Sequence, residues 1–169
     1  MMEEETRSKT SGRVPPQDIV AEKSLIGAIM ISNDSLPEIL NIIRPRDFYE
    51  NRHQIIFQSI VDLYDQHKPI DLLTLTAELK SKKQLKTIGG APYLTELSNF
   101  VPAAAHAKAY ADIIEKASVR RRLIQAGTEI ANKAYEDDAI AGELIGAAER
   151  ELFEVSDKIV KSEDRKSVV

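Results

Sequence analysis

The chain has 169 residues, of which 43% are hydrophobic, 30% charged and 5% aromatic; that length suits one domain, and the mixture excludes a disordered or all-β protein. A net charge of −4 leaves no basic surplus to neutralise a nucleic-acid backbone, and the lack of cysteine excludes disulfides, thiolate catalysis, iron–sulfur clusters and cysteine-ligated zinc. No run reaches 18 uninterrupted apolar residues and the first fourteen positions are polar, so no membrane span or secretory signal is expected and the chain reads as cytoplasmic.

Residues 1–14 carry three acids and three bases with almost nothing to bury, which predicts a mobile tail. Order is expected from Pro15-Pro16, with Asp18 capping a helix over Ile19–Ile31 whose apolar line runs through Ile19, Glu22, Ile26 and Met30, flanked by Leu25 and Ile29. A second helix is expected after Ser35, which with Glu38 forms a capping box; Pro37 falls in its tolerated first turn, and its apolar face is Leu36, Ile39, Leu40 and Ile43. Arg44-Pro45-Arg46-Asp47 stops it and Phe48-Tyr49 plug the core. A third helix spans residues 51–66, with Ile56, Ile60 and Leu63 on one side. The fourth opens at Asp71 as cap, with Ile70 placed to staple onto Leu75, and ends in Lys80-Ser81-Lys82-Lys83. Gly89-Gly90 marks a tight turn before a short helix over residues 91–99. These five helices predict a compact subdomain over 15–102.

From Ala103 to Tyr135 there is no proline and one glycine, and an apolar face passes through Ile113, Ala117, Ile124, Gly127, Ile130 and Ala134. Thirty helical residues extend about 45 Å, more than the globule needs. Glu136-Asp137-Asp138 breaks the run, and residues 139–159 form a return helix with Ile140, Leu144, Ala148, Leu152, Val155 and Ile159 on one stripe. The expected architecture is all-α: a compact helical globule followed by a long antiparallel helical hairpin over 103–159. Residues 103–135 hold six bases against three acids, net +3; residues 136–157 hold eight acids against Arg150, net −7. The arms therefore attract one another, or a second hairpin packed head to tail. A two-helix ribbon cannot bury both stripes, so a partner is expected to cover the rest.

Enzyme chemistry has no visible carrier. His53, His67 and His106 lie in separate segments with no ligand spacing, and read as surface or partly buried side chains without a metal. Glu3-Glu4-Glu5 and Glu136-Asp137-Asp138 read as a tail charge run and a turn. No glycine is followed by lysine, so a phosphate-cradling G-x-x-x-x-G-K-[ST] loop is absent and no cofactor is expected in this chain. Arg120-Arg121-Arg122 point about 100° apart on a helix, which suits pairing with acids of the return arm or a neighbour better than one flat DNA-binding patch.

Several runs carry a family resemblance. Pro15-Pro16-Gln17-Asp18-Ile19-Val20-Ala21-Glu22-Lys23-Ser24-Leu25-Ile26-Gly27-Ala28 resembles the opening of bacterial replicative DNA helicases of the DnaB type. Asp47-Phe48-Tyr49, Pro69-Ile70-Asp71-Leu72, Ile88-Gly89-Gly90 with Tyr93-Leu94-Thr95-Glu96-Leu97, Ala109-Tyr110-Ala111 and Ser118-Val119-Arg120-Arg121-Arg122-Leu123-Ile124 follow in order. The resemblance covers residues 15–159 and implies the N-terminal domain of such a helicase. Residues 160–169 would begin the linker to an absent RecA-like ATPase domain, where ATP and Mg2+ would bind. It further implies self-association as a dimer and as a trimer of dimers in the hexamer, recruitment of primase, and contact with single-stranded DNA weakly or only in the full helicase. Tyr93, Ile124 and Ile130 match family positions tied to primase contact or its relay, although core packing explains them equally well. For self-association the hairpin stripes supply Ile113, Ala117, Leu144, Ala148 and Leu152. The alternative is a free-standing helical adaptor that regulates a replicative helicase or primase.

Overall fold

A computed structural model describes residues 12–100, 103–136, 138 and 140–166, with side chains as far as Asp157. The tail expected over 1–14 falls mostly outside those residues, as do the Asp137 and Ala139 positions of the hairpin turn, residues 167–169 and the Ile159 side chain. Seven α-helices follow in order: α1 Ile19–Ile31, α2 Leu36–Ile42, α3 Asn51–Asp65, α4 Leu72–Ser81, α5 Gly90–Asn99, α6 Ala107–Ala134 and α7 Ala141–Lys166, with 3₁₀ turns at Pro45–Asp47 and Ala104–His106. The all-α globule-plus-hairpin architecture is as the sequence predicts.

Local chemistry sets most boundaries. Asp18 Oδ1 accepts the Ala21 N–H at 2.9 Å and Asp71 Oδ1 accepts that of Thr74 at 2.9 Å, closing the starts of α1 and α4. Ser35 does not cap α2: it already has helical dihedrals and its side chain makes no cap bond, so the expected capping box is not formed. Asn33 instead holds this corner. Its amide donates to the carbonyls of Ile29 at 2.7 Å and Ile70 at 2.8 Å, and its Oδ1 accepts the Ile70 N–H at 3.0 Å, tying the end of α1 to the entry of α4. α3 and α4 end in left-handed residues that are not glycine, His67 at φ 56° and Lys83 at φ 58°. In each case the next N–H reaches back five residues, Lys68 to Leu63 and Gln84 to Leu79, which satisfies a terminal carbonyl. Gly89 and Gly90 take φ of 107° and 76°, a turn that only glycine adopts without strain.

α1 is the central helix. From Ala21 to Met30 every residue but Lys23 is buried, so the helix is enclosed rather than one-sided. Leu25, Ile26 and Ile29 meet Leu36, Ile39, Phe48, Ile56, Phe57, Ile60, Leu75 and Leu94 in one core. Phe48 is fully buried, its ring 4.8 Å from that of Phe57, whereas its expected companion Tyr49 stays 39% exposed. The same core takes in Ala107, Ala111 and Ile114, so the first half of α6 is part of the globule. α7 runs to Lys166, so the expected boundary at 159 falls inside a helix.

Candidate interaction site

The side of α6 pressed on α1, α2 and the 3₁₀ turn buries Ala107, Ala111, Ile114 and Ser118, a row of mostly small residues. It differs from the line expected from the isoleucines. At about 100° per residue, Ile113, Ala117 and Ile124 lie within about 40° of one another and roughly a third of a turn from the buried line. Ile113 is 42% and Ile124 55% exposed, while Ala117 is partly covered.

The second arm packs on another side of α6. Val155 is buried, and Lys133 pairs with Glu151 across the arms. Arg122, Gln125, Ala126 and Glu129 face Glu151, Glu154 and Val155 around a cleft of about 180 Å³. Leu144 and Ala148 share the helical line of Glu151 and Val155 and are partly buried. Leu152 lies off that line with Ile145, at 49% and 61% exposure. Ile124 is about half a turn round α6 from Ala126, so it faces neither the globule nor the second arm. Ile130, partly covered, lies about a third of a turn from the Ile113 line. The structure thus divides the expected self-association residues: Ile113 and Leu152 are open, Ala117 is partly covered, and Leu144 and Ala148 line the seam of the hairpin, while Ile124, expected at the primase contact, is open as well.

Of the opposite charges on the two arms, Lys133 and Glu151 join them as expected, but the arginine run of the first arm is used differently. Arg121 and Arg122 turn onto the globule instead. Arg121 donates to the carbonyls of Pro16 at 2.8 Å and Asp47 at 2.6 Å and lies 5.6 Å from the Tyr49 ring. Burial lowers its pKa, and Glu22 and Asp47 oppose that shift. Arg122 donates to Asp47 Oδ1 at 3.2 Å, the oxygen that also accepts from the Ser118 hydroxyl at 2.7 Å; Asp47 Oδ2 accepts the Arg44 N–H at 2.7 Å. Asp47 is therefore the seat of the hairpin on the globule. Arg120 is exposed.

A second buried cluster lies beneath α5. Tyr93 is 6% exposed, so it presents almost no contact surface, and its hydroxyl meets His53 Nε2 at 2.6 Å. His53, expected as a surface or partly buried side chain, is fully buried, and its Nδ1 meets Glu22 Oε2 at 2.6 Å. The Glu22 carboxylate also accepts the N–H groups of Tyr49 and Glu50. Burial pushes the Tyr93 hydroxyl up to about 12, a shift that the Arg52 charge opposes. The Arg52 guanidinium caps the Tyr93 ring at 3.9 Å, and Lys23, bonded to Glu96 at 2.9 Å, lies 5.2 Å from the Phe100 ring. The sequence did carry one sign of this cluster: Glu22 stands on the apolar line of the central helix, where a charge survives only with partners. Among the described residues, no three His, Asp or Glu side chains group closely enough to share a metal ion, and no helix is long and apolar enough to cross a membrane.

Comparison with known proteins places this geometry. The model of the DnaB-like helicase N terminal domain matches residues 14–116. The replicative DNA helicase DnaB of Geobacillus stearothermophilus is 42% identical over 148 residues, which are 88% of this chain and 33% of that helicase. That of Mycobacterium leprae is 39% identical over 152 residues, 89% of this chain and 25% of the relative. The chain thus spans a third or less of the length of these two relatives. The crystal structure of the N-terminal domain of DnaB helicase from Mycobacterium tuberculosis superposes with a TM-score of 0.78 at 39% identity, covering 83% of this chain and 99% of that one. The N-terminal domain of DnaB helicase from Helicobacter pylori, a structure described together with its interactions with primase, has the same fold, with a TM-score of 0.61 at 23% identity over 69% of this chain and 91% of that one.

Proposed function

Because the chain belongs to the DnaB-like helicase N-terminal domain family, we propose that it is the assembling and recruiting part of a bacterial replicative DNA helicase. The parent protein unwinds duplex DNA in the cytoplasm, with ATP and Mg2+ bound in a RecA-like domain. These 169 residues contain no phosphate loop, because none of their seven glycines precedes a lysine. The chain's work is done with surfaces.

The observation that carries this reading is the open Ile113 on α6, which with the adjoining Ala117 faces away from both the globule and the second arm. A rigid helix holding isoleucines in water favours any partner that covers them. A second copy of the hairpin does so, with Leu152 and Ile145 on the flank of α7 extending the surface. Dimers built this way are the unit of a trimer of dimers in the hexamer.

The second partner is primase, in line with the primase interactions described for the H. pylori domain and for another DnaB-like replicative helicase. Ile124 and Ile130 supply its contact on α6. Tyr93 acts from beneath: it supports Arg52 and the outer face of α5 rather than touching the partner. Single-stranded DNA is a weak ligand of this chain or one of the full helicase only, since Arg121 and Arg122 are committed to Asp47. Titration of the chain with a purified primase C-terminal domain tests recruitment. Saturable binding weakened by Ile124→Asp is expected, and absence of binding at high micromolar concentration would remove primase from the account.

A further inference from the structure

A line of hydrogen bonds crosses the core from α5 to the hairpin. Tyr93 bonds to His53, His53 to Glu22, and Glu22 to the main chain at Tyr49 and Glu50. Two residues before Tyr49, Asp47 takes Ser118 and Arg122 on its carboxylate and Arg121 on its carbonyl. The segment from Asp47 to Glu50 is therefore held by α1 on one side and by α6 on the other.

Donor and acceptor roles along this line follow from its partners. The Glu22 carboxylate accepts from two N–H groups, so the third contact, at His53 Nδ1, is also a donor. Nε2 of a neutral ring is then bare and accepts the Tyr93 O–H, which burial keeps protonated. Tyr93, His53, Glu22, Asp47 and Ser118 are all buried. Water cannot readily replace a missing member, and loss of one leaves its neighbour unpaired in a low-dielectric interior.

We propose that Glu22 and His53 are positioning residues that couple the α5 face above Tyr93 to the seat of the hairpin at Asp47. A contact that displaces α5 then shifts the hairpin's hold on the globule, and a contact on the hairpin shifts α5 by the same factor. The functional meaning of this coupling rests on the reading above that α5 and the hairpin are where partners bind. The coupling itself needs no partner.

Native-state hydrogen exchange on the 169-residue chain tests it, with the amides of α4, which lie off the line, as internal reference. Tyr93→Phe deletes only the hydroxyl, and His53→Asn keeps a donor for Glu22 while breaking the link to Tyr93. Each is expected to speed exchange several-fold across Ser118–Ala126 of α6 relative to α4. Ser118→Ala, a small change at the other end that preserves the fold, is expected to speed exchange around Tyr93 in α5. Effects confined to the elements next to each substitution, or a uniform rise that includes α4, would overturn the coupling. Failure of primase to bind a chain that shows the reciprocal exchange pattern would contradict the proposed function and leave the coupling intact.

Discussion

Arg121 leaves the hairpin to donate at 2.6 Å to the main-chain carbonyl of Asp47, whose carboxylate holds Ser118 on the same helix at 2.7 Å. With Arg122 also on that carboxylate, one residue of the globule thus takes three points of α6. The same guanidinium bonds Pro16 at 2.8 Å and so pins the chain ahead of α1 as well. The hairpin is seated by a fork that spans two carbonyls, which a planar guanidinium does and an ammonium does not.

Arg121→Lys is therefore expected to behave nearly like Arg121→Ala. Each should lower stability by about 1–3 kcal/mol, the range for hydrogen bonds of charged groups and for buried acceptors left unpaired. Arg120→Ala, at an exposed position, should stay within about 0.5 kcal/mol of wild type. Denaturant unfolding compares the three, and full retention of stability in Arg121→Lys would show that the fork is not what holds the seat.

The turn before α5 gives a pair of opposite predictions. At Gly89, φ is 107° and an added Cβ would lie 3.1 Å from the Tyr93 Cβ. Gly89→Ala combines left-handed strain with that contact and should cost about 1–2 kcal/mol or more. Lys83 already carries the same kind of strain at φ 58°. Lys83→Gly should raise the melting temperature, by up to about 1 kcal/mol of stability after the greater freedom of the unfolded glycine is subtracted. A lower melting temperature for Lys83→Gly would contradict the strain assigned there.

Stability should also depend on pH through the pair that ties α3 to the end of α4. Burial would raise the pKa of Asp62, but hydrogen bonds from Lys82 and Gln58 and the Lys82 charge together hold it below its ordinary value. Burial lowers that of Lys82, but its bonds to Asp62 and Glu78 carry it above the ordinary value. The depressed carboxylate stabilises the fold above its unfolded pKa of about 4, and this is lost as pH falls through the folded value; the raised ammonium stabilises below about 10.4, and this is lost as pH rises through its folded value. The stability gap between wild type and Asp62→Asn should be open at neutral pH and close below about pH 4. A gap that persists unchanged into acid would place the effect of the substitution elsewhere.

The starts of α1 and α4 and the glycine turn were legible in the sequence because each rests on local chemistry, which at Ser35 did not form. Asp18 and Asp71 cap with their own side chains, and Gly89-Gly90 occupy dihedrals that other residues avoid. The left-handed ends at His67 and Lys83 were not legible, because residues other than glycine take there the dihedrals that glycine would signal. The side of α6 that packs on the globule was not legible either. Hydrophobicity ranks Ile113 and Ile124 above Ala107, Ala111 and Ser118, yet a helix that must lie close to α1 buries its small residues. The isoleucines left outside are informative for that reason. The Glu22–His53–Tyr93 cluster joins residues 31 and 40 positions apart, and only packing brings them together.

Sedimentation of the 169-residue chain, with and without Ile113→Asp, tests the central claim most directly. Ile113 is 42% exposed within one chain, so the substitution should change unfolding stability by no more than about 0.5 kcal/mol. The account predicts a concentration-dependent dimer or larger species in the wild type and a folded monomer in the variant. A wild-type chain that remains monomeric at every concentration, or a variant that associates as well as the wild type, would contradict it.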